Sequence, residues 1–151
     1  MMISALSMGA IHAQASDSHI LSGVAHVIDG DTIKIDNIRI RLHGIDAPEK
    51  KQYCAQFPCG EVATIFLTRL INGENVMCEG KKYDRYKRLI AICHWQHVNV
   101  NALMVSAGLS HAYLRYSKEF VEAQKLAEKT KQGMWNFDHM SPEEFRHARK
   151  K

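Results

Sequence analysis

Residues 28–49 read IDGDTIKIDNIRIRLHGIDAPE. Two acid-rich turns, Asp29-Gly30-Asp31-Thr32 and Asp46-Ala47-Pro48-Glu49, bracket the alternating segment Ile38-Arg39-Ile40-Arg41-Leu42. Alternation at period two predicts a strand with one buried face, so a strand separates two loops that carry carboxylates. If that strand returns beside its predecessor, both acid clusters lie at one end of a small sheet. Carboxylates gathered in this way raise each other's pKa unless a hard cation such as Ca²⁺ or Mg²⁺ sits between them. Asp, Gly and Pro are also ordinary turn residues. Each cluster taken alone therefore says only that the chain turns, and residues further along must decide.

Working outward, Ile20 to Val27 predicts a first strand with a bulge or bend at Gly23. Ile33 and Ile35 face one way and Lys34 and Asp36 the other in a second strand, which ends at the Asp36-Asn37 turn. Three short strands in a row predict a meander belonging to a closed or half-closed barrel. The period then changes. Val62, Ile65, Phe66 and Leu70 recur at helical spacing between Gly60 and Ile71, and Asn72-Gly73 ends the run. Val76 to Cys78 and Arg88 to Trp95 predict two further strands joined by the charged hairpin EGKKYDRYKR. Asn99 to Ala107 predicts a second helix with Leu103 buried and Gly108 at its end. Ser117 is positioned to cap a third, running to about Lys131 with Phe120, Ala123 and Ala127 inward and Gly133 closing it. Ser141-Pro142-Glu143-Glu144 starts a short terminal helix that ends basic. The expected class is α+β, mainly β: a five-stranded barrel with about three helices.

Composition agrees with a globular domain. The chain has 151 residues, 46% hydrophobic and 24% charged, which excludes a disordered chain. Its 20 Lys and Arg against 16 acids favour a polyanionic partner. Residues 1–15, MMISALSMGAIHAQA, carry no formal charge and end in an A-x-A pattern, so they predict a secretory signal peptide. They are too few to span a bilayer. The mature domain is expected to occupy residues 16–151, in the periplasm or secreted, as a monomer without stable membrane association. Four cysteines fit an exported chain. Three pairings are possible. Cys54 with Cys59, closing the loop AQFP, and Cys78 with Cys93, joining strands across the hairpin, are favoured. Zinc is the weaker use, because no Cys-x-x-Cys pair is present.

Phosphodiester cleavage needs positive charge that tightens its grip as the pentavalent phosphorane forms. Arginine suits this because its planar fork pairs with two phosphate oxygens. Arg41 and Arg88 are the candidates. IDGDT at 28–32, RLHGIDAPE at 41–49, DRYKR at 84–88, and NALMVSAGL with HAY within 101–113 occur in order. Together they resemble the staphylococcal nuclease (thermonuclease) family from about Val24 to Trp135.

That resemblance implies an OB-fold barrel with three helices and a Ca²⁺-dependent nuclease that acts on DNA and RNA and leaves 3′-phosphates. By position it implies Asp31 and Asp46 as metal carboxylates, with the backbone carbonyl of Ala47, where the family has threonine, joining them. Glu49 matches the glutamate that takes a proton from the attacking water, and Arg41 and Arg88 match the phosphate-binding arginines. Tyr86 matches an aromatic that seats the nucleotide, and Tyr113 is a looser match that Tyr116 can replace. Arg85, with Lys81, Lys82 and Lys87, is expected to guide the polyanion in. Lys87 stands where the family has glycine.

The residues support this reading independently, since two carboxylates with carbonyl and water oxygens form a hard donor set suited to calcium. Asp29 reads as a turn residue, Arg39 as a solvated neighbour of Arg41 and His94-Trp95-Gln96-His97 as a turn. The Cys78–Cys93 pairing predicts a register with Tyr83 opposite Arg88. Two other functions fit the same pattern, a non-catalytic nucleic-acid-binding module and a phosphoryl hydrolase using another divalent ion.

Overall fold

The computed structural model describes residues 17–150, and the expected signal segment at 1–15 lies outside the described residues. In chain order the strands are β1 (His19–Asp29), β2 (Thr32–Ile35), β3 (Ile38–Leu42), β4 (Ile45–Asp46), β5 (Asn75–Tyr83), β6 (Leu89–Trp95), β7 (Val98–Asn99) and β8 (His111–Ala112). Helices are α1 (Cys59–Ile71), α2 (Val100–Ser106), α3 (Val121–Lys129) and α4 (Pro142–Ala148), with a 3₁₀ turn at Gly133–Asn136 before the last.

The first three strands form the expected antiparallel meander. β1 is long enough to serve two neighbours. Its first half pairs with β5, from His19↔Gly80 to Val24↔Asn75, and its second half with β2, from Ala25↔Ile35 to Asp29↔Thr32. β5 pairs with β6, and β6 closes the cylinder against β3 in parallel, with Ile40 opposite Leu89. The result is a closed five-stranded OB-type barrel, to which β7 adds an edge. Ile33, Ile35, Ile40, Leu42, Leu89 and Ala91 fill it from alternate positions. The bulge in β1 falls between Val27 and Asp29, not at Gly23. Gly23 has another use: a Cβ there would lie 2.7 Å from Ile35 Cγ2, so glycine lets β1 pass close over β2.

α1 packs on the barrel with a different face from the one periodicity suggested. Gly60, Ala63, Leu67 and Ile71 are buried, Val62, Phe66 and Leu70 only half so, and Ile65 is 41% exposed. Small side chains let the helix approach closely, and hydropathy underrates them. α2 repeats the lesson: Asn101, Met104 and Val105 are buried while Leu103 is half-exposed. The third helix starts later than expected. Ser117 Oγ accepts from Glu119 N in the preceding turn, and the helix proper runs Val121–Lys129. The terminal helix expected at Ser141 is present, closed by a Ser141/Glu144 capping box.

Both favoured disulfides are formed, Cys54–Cys59 and Cys78–Cys93. The second closes a 15-residue separation, which on loop-entropy grounds contributes about 3 kcal/mol. Cys78 does oppose Cys93, but the register slips by one between Gly80 and Lys82. Tyr83 therefore pairs with Leu89 rather than Arg88. The bulge frees Asp84 and Arg88 to close the hairpin, with Asp84 N donating to Arg88 O at 2.9 Å. Of His94 to His97 only Gln96 and His97 turn, with Gln96 at φ 54; His94 and Trp95 complete β6, because β7 pairs back onto them through His94↔Asn99 and Trp95↔Val98.

Candidate active site

Three adjacent strands assemble the site. Thr32 at the start of β2 pairs with Arg41, and Arg41 pairs with Ile90 of β6. Asp31 and Arg88, which immediately precede β2 and β6, thus reach the barrel edge where Arg41 lies. The second acid turn arrives on β4, held by the Asp46↔His111 pairing to β8.

Arg41 stands at the centre, only 14% exposed at its side chain. Its Nη2 lies 3.1 Å from Asp31 Oδ2 and 3.3 Å from Asp46 Oδ1. Nη1 donates to the carbonyls of Leu42 and Ile45, both at 2.8 Å. Arg41 is therefore a brace of the acid cluster as well as a charge beside it. Asp31 Oδ2 also accepts from Ala47 N at 2.8 Å, and Oδ1 accepts from Thr32 Oγ1 at 3.1 Å. Burial pushes the Asp46 carboxyl above the usual carboxylate range, with hydrogen bonds from Arg146 opposing it. Asp29 is a turn residue, accepting from Asp31 N at 3.1 Å. Burial and the neighbouring Asp31 raise its pKa to about 6.

Asp31 and Asp46 reach one guanidinium nitrogen from two sides, so their oxygens converge where positive charge is already held. Such carboxylates fit a hard divalent cation in donor type. Among the described residues no group of three or more His, Cys, Asp or Glu is arranged to hold a metal ion. Any such ion must therefore take further oxygens from backbone, water or substrate.

Glu49 is positioned through its backbone. Its N–H donates to Gln52 Oε1 at 3.1 Å, and the buried Gln52 passes its Nε2 to Met140 O at 2.9 Å. The start of α1 presses on the same turn. A Cβ at Gly60 would lie 1.8 Å from the Glu49 carbonyl oxygen. Gly60→Ala is accordingly expected to lower unfolding stability by about 1–3 kcal/mol and to displace Glu49. Urea denaturation checks the first effect and kcat the second.

The structure adds a residue that sequence reasoning missed. Arg146, on α4, donates from Nη1 and Nη2 to Asp46 Oδ1 and Oδ2 at 3.0 and 2.9 Å, and from Nη1 to Glu49 Oε1 at 2.9 Å. Burial opposes its charge, yet the hydrogen bonds it donates to Asp46 and Glu49 push its pKa upward. It lies 100 positions from Asp46. Its one sequence signal is its place in the last turn of a well-capped helix, which says nothing about a partner.

Arg88 is held by Asp84, whose Oδ2 accepts from Nε at 2.8 Å, and its Nη1 lies 3.5 Å from Thr32 Oγ1. Through Thr32 it is linked to Asp31. The hairpin turn places Lys87 at φ 60, and Asp84 compensates by accepting from the N–H groups of Tyr86 and Arg88. Arg39 is not a free solvated neighbour, since its Nη2 donates to Tyr86 O at 2.7 Å and braces that turn. Tyr86 is exposed, with Arg88 Cζ 5.4 Å and Arg85 Cζ 4.8 Å from its ring centre. Arg85 also donates to the Tyr86 hydroxyl at 2.7 Å. Tyr113 and Tyr116 lie edge to face, centroids 5.0 Å apart, and Tyr113 lines a cavity of about 170 Å³ with Asp46, Leu114, Arg115 and Pro142. Burial, and then the Asp46 charge, raises the Tyr113 hydroxyl's pKa.

Behind Asp46, His111 Nε2 lies 3.0 Å from His139 Nε2, and both rings pack on Trp135. Burial, then His139, lowers the His111 pKa to about 4. A histidine with a depressed folded pKa binds fewer protons than its unfolded counterpart between about pH 4 and 6.5. Its contribution is complete above pH 6.5 and is lost as pH falls toward 4, to a limit of about 3 kcal/mol. His111→Asn is expected to flatten that part of the stability profile, as thermal unfolding from pH 7 to 4 would show.

A closed OB-type barrel with carboxylates and arginines gathered at one edge defines a class of fold and site. A family described as staphylococcal nuclease homologue matches residues 39–137. The chain is 35% identical over 134 residues to an uncharacterized endonuclease of Escherichia coli O157:H7, covering 83% of this chain and 84% of that protein. Identity to an uncharacterized endonuclease of Haemophilus influenzae is 34% over 119 residues, covering 74% of this chain and 64% of that protein. A thermonuclease of Staphylococcus hyicus is 32% identical over 125 residues, covering 75% of this chain and 74% of that protein. The chain belongs to the staphylococcal nuclease family.

Proposed function

We propose that the chain is a nuclease that hydrolyses phosphodiester bonds of DNA and RNA with Ca²⁺ as cofactor and leaves 3′-phosphates. One observation carries the reading: Asp31, Arg41, Asp46 and Glu49 from one stretch and Arg88 from the distant hairpin meet at one barrel edge. Family membership and the relatives named endonuclease and thermonuclease support it.

Asp31 and Asp46 would hold the cation, with the Ala47 carbonyl beside them, and the bound ion would supply charge at the non-bridging phosphate oxygens. Glu49 takes the proton of the attacking water as the water's oxygen bonds to phosphorus, while the P–O5′ bond breaks and the departing 5′ oxygen takes a proton from solvent, leaving the phosphate on the 3′ side. Arg88 is poised to grip the phosphate: Asp84 engages Nε, which leaves its terminal nitrogens as paired donors. Arg41 adds positive charge from behind the two acids. Tyr86 and Tyr113 offer ring faces to the nucleotide, and Arg85 contributes to the basic hairpin that attracts the backbone. Two disulfides fit the oxidising periplasm or exterior, so we infer that the chain acts there, as a monomer. No helix of the described residues is long and apolar enough to cross a membrane.

Digestion of plasmid and RNA with EDTA, Ca²⁺, Mg²⁺ and Mn²⁺ arms tests the reading. Cleavage restored by Ca²⁺ and releasing 3′-phosphate ends is expected. Nucleic-acid binding without cleavage in every arm would replace the nuclease by a binding module, and cleavage with Mg²⁺ or Mn²⁺ but not Ca²⁺ would reassign the cofactor.

A further inference from the structure

Arg146 engages groups that the proposed reaction needs free. Its guanidinium covers both oxygens of Asp46 in a two-pronged pair and also takes Glu49 Oε1. A cation coordinated by Asp46 cannot use the same lone pairs that point at Nη1 and Nη2. The charges nearly balance: Asp31, Asp46 and Glu49 bring three negatives, against which Arg41 and Arg146 set two positives, so one net negative charge remains.

The helix that carries Arg146 binds the barrel lightly. Its own N-terminus is satisfied internally by the Ser141/Glu144 capping box. Pro142 is its one buried residue. Phe145 is half-buried, and the polar ties to the domain are Arg115 Nη1 to Glu143 Oε1 at 3.3 Å and Gln52 Nε2 to Met140 O just before the helix. Lifting it exposes Pro142 and part of Phe145, so the Arg146 contacts hold a large share of its opening free energy. The partner of Glu143, Arg115, sits in the segment between Tyr113 and Tyr116, so the helix also lies across the aromatic side of the site. α4 falls beyond the 39–137 span that the family model matches.

We propose that α4 is a cation-released latch: Arg146 is the internal counter-ion of Asp46 and Glu49, and a divalent cation binding at Asp31 and Asp46 displaces it and frees the helix from the site. The proposal rests on the assignment of Asp31 and Asp46 as cation ligands. It follows that latch and cation compete, and linkage requires that each weaken the other by the same factor. Once displaced, the same guanidinium adds positive charge to the path of a nucleic-acid backbone.

The test uses the full domain and Ca²⁺ alone, without substrate. Titration calorimetry is run on wild type, Arg146→Gln, Arg146→Lys and, as a control on the exposed end of the helix, Arg149→Gln. Arg146→Gln is expected to bind Ca²⁺ about 5- to 150-fold more tightly than wild type, Arg146→Lys by an intermediate factor because it keeps charge but loses the fork, and Arg149→Gln nearly as wild type. Hydrogen exchange separates displacement from simple charge repulsion. A helix this short frays once it leaves the domain, so Ca²⁺ should speed exchange of the residue 143–148 amides in wild type, while Arg146→Gln should exchange fast there without it. Unchanged or weaker Ca²⁺ binding in Arg146→Gln overturns the latch alone, as does unaltered α4 exchange in wild type on adding Ca²⁺. No Ca²⁺ binding by wild type or any variant overturns the cation assignment and the latch together. A circular-dichroism melt of each variant confirms that the barrel is intact.

Discussion

Glu49→Gln is expected to lower kcat for DNA and RNA cleavage by about 10²- to 10⁴-fold, the range that a positioned general base contributes. The substitution keeps the shape of the side chain and its ability to accept from Arg146, so the fold should persist with little change in unfolding temperature. What it removes is the basic oxygen pair. The backbone of Glu49 is held by Gln52 and by the start of α1, so the amide will sit where the carboxylate sat. The comparison is therefore one of chemistry rather than of position. Single-turnover cleavage of a short labelled oligonucleotide, with KM measured alongside, gives the decisive number. A rate within a factor of a few of wild type would remove Glu49 from the proton-transfer role.

Arg41→Met should have the largest effect on stability. The guanidinium it deletes lies between two buried carboxylates and also satisfies two backbone carbonyls. Methionine fills much of the volume but leaves Asp31 and Asp46 facing each other with less compensation. Removing one partner of a buried ion pair costs about 3–5 kcal/mol, and urea unfolding at pH 7 in EDTA should show a loss of that order. Part of the loss should return when Ca²⁺ is added, because an ion held by the two acids replaces the missing positive charge. A destabilisation that Ca²⁺ leaves untouched would mean that the acids do not share a cation. Activity should fall in either case, since the brace that sets the spacing of Asp31 and Asp46 is gone.

The local signals in the sequence served well where they were strong. Alternation from Ile33 to Leu42 predicted β2 and β3, the Asp-Gly and Asp-Asn turns predicted their ends, and the two favoured cysteine pairings, Cys54 with Cys59 across the AQFP loop and Cys78 with Cys93 across the hairpin, both formed. They misled where small residues were concerned. α1 buries Gly60 and Ala63 rather than Ile65 because tight packing favours what does not protrude. One extra residue near Lys81 shifted the hairpin register, and no local pattern reveals a bulge in a run of exposed polar side chains.

By itself the sequence determined the meander of strands, the Ser141 cap of the terminal helix and the identity of the acids and arginines clustered in Ile28 to Glu49, and it favoured the disulfide pairs that formed. Each of these depends on neighbours a few residues away, where side-chain period and turn chemistry act directly. Tertiary structure alone decided that β3 and β6 close in parallel, that Arg88 comes to stand beside Thr32 from 56 positions away, and that Arg146 reaches Asp46 across 100. Those contacts form only because the whole core is buried at once, and a charge finds its partner there by where the barrel carries it.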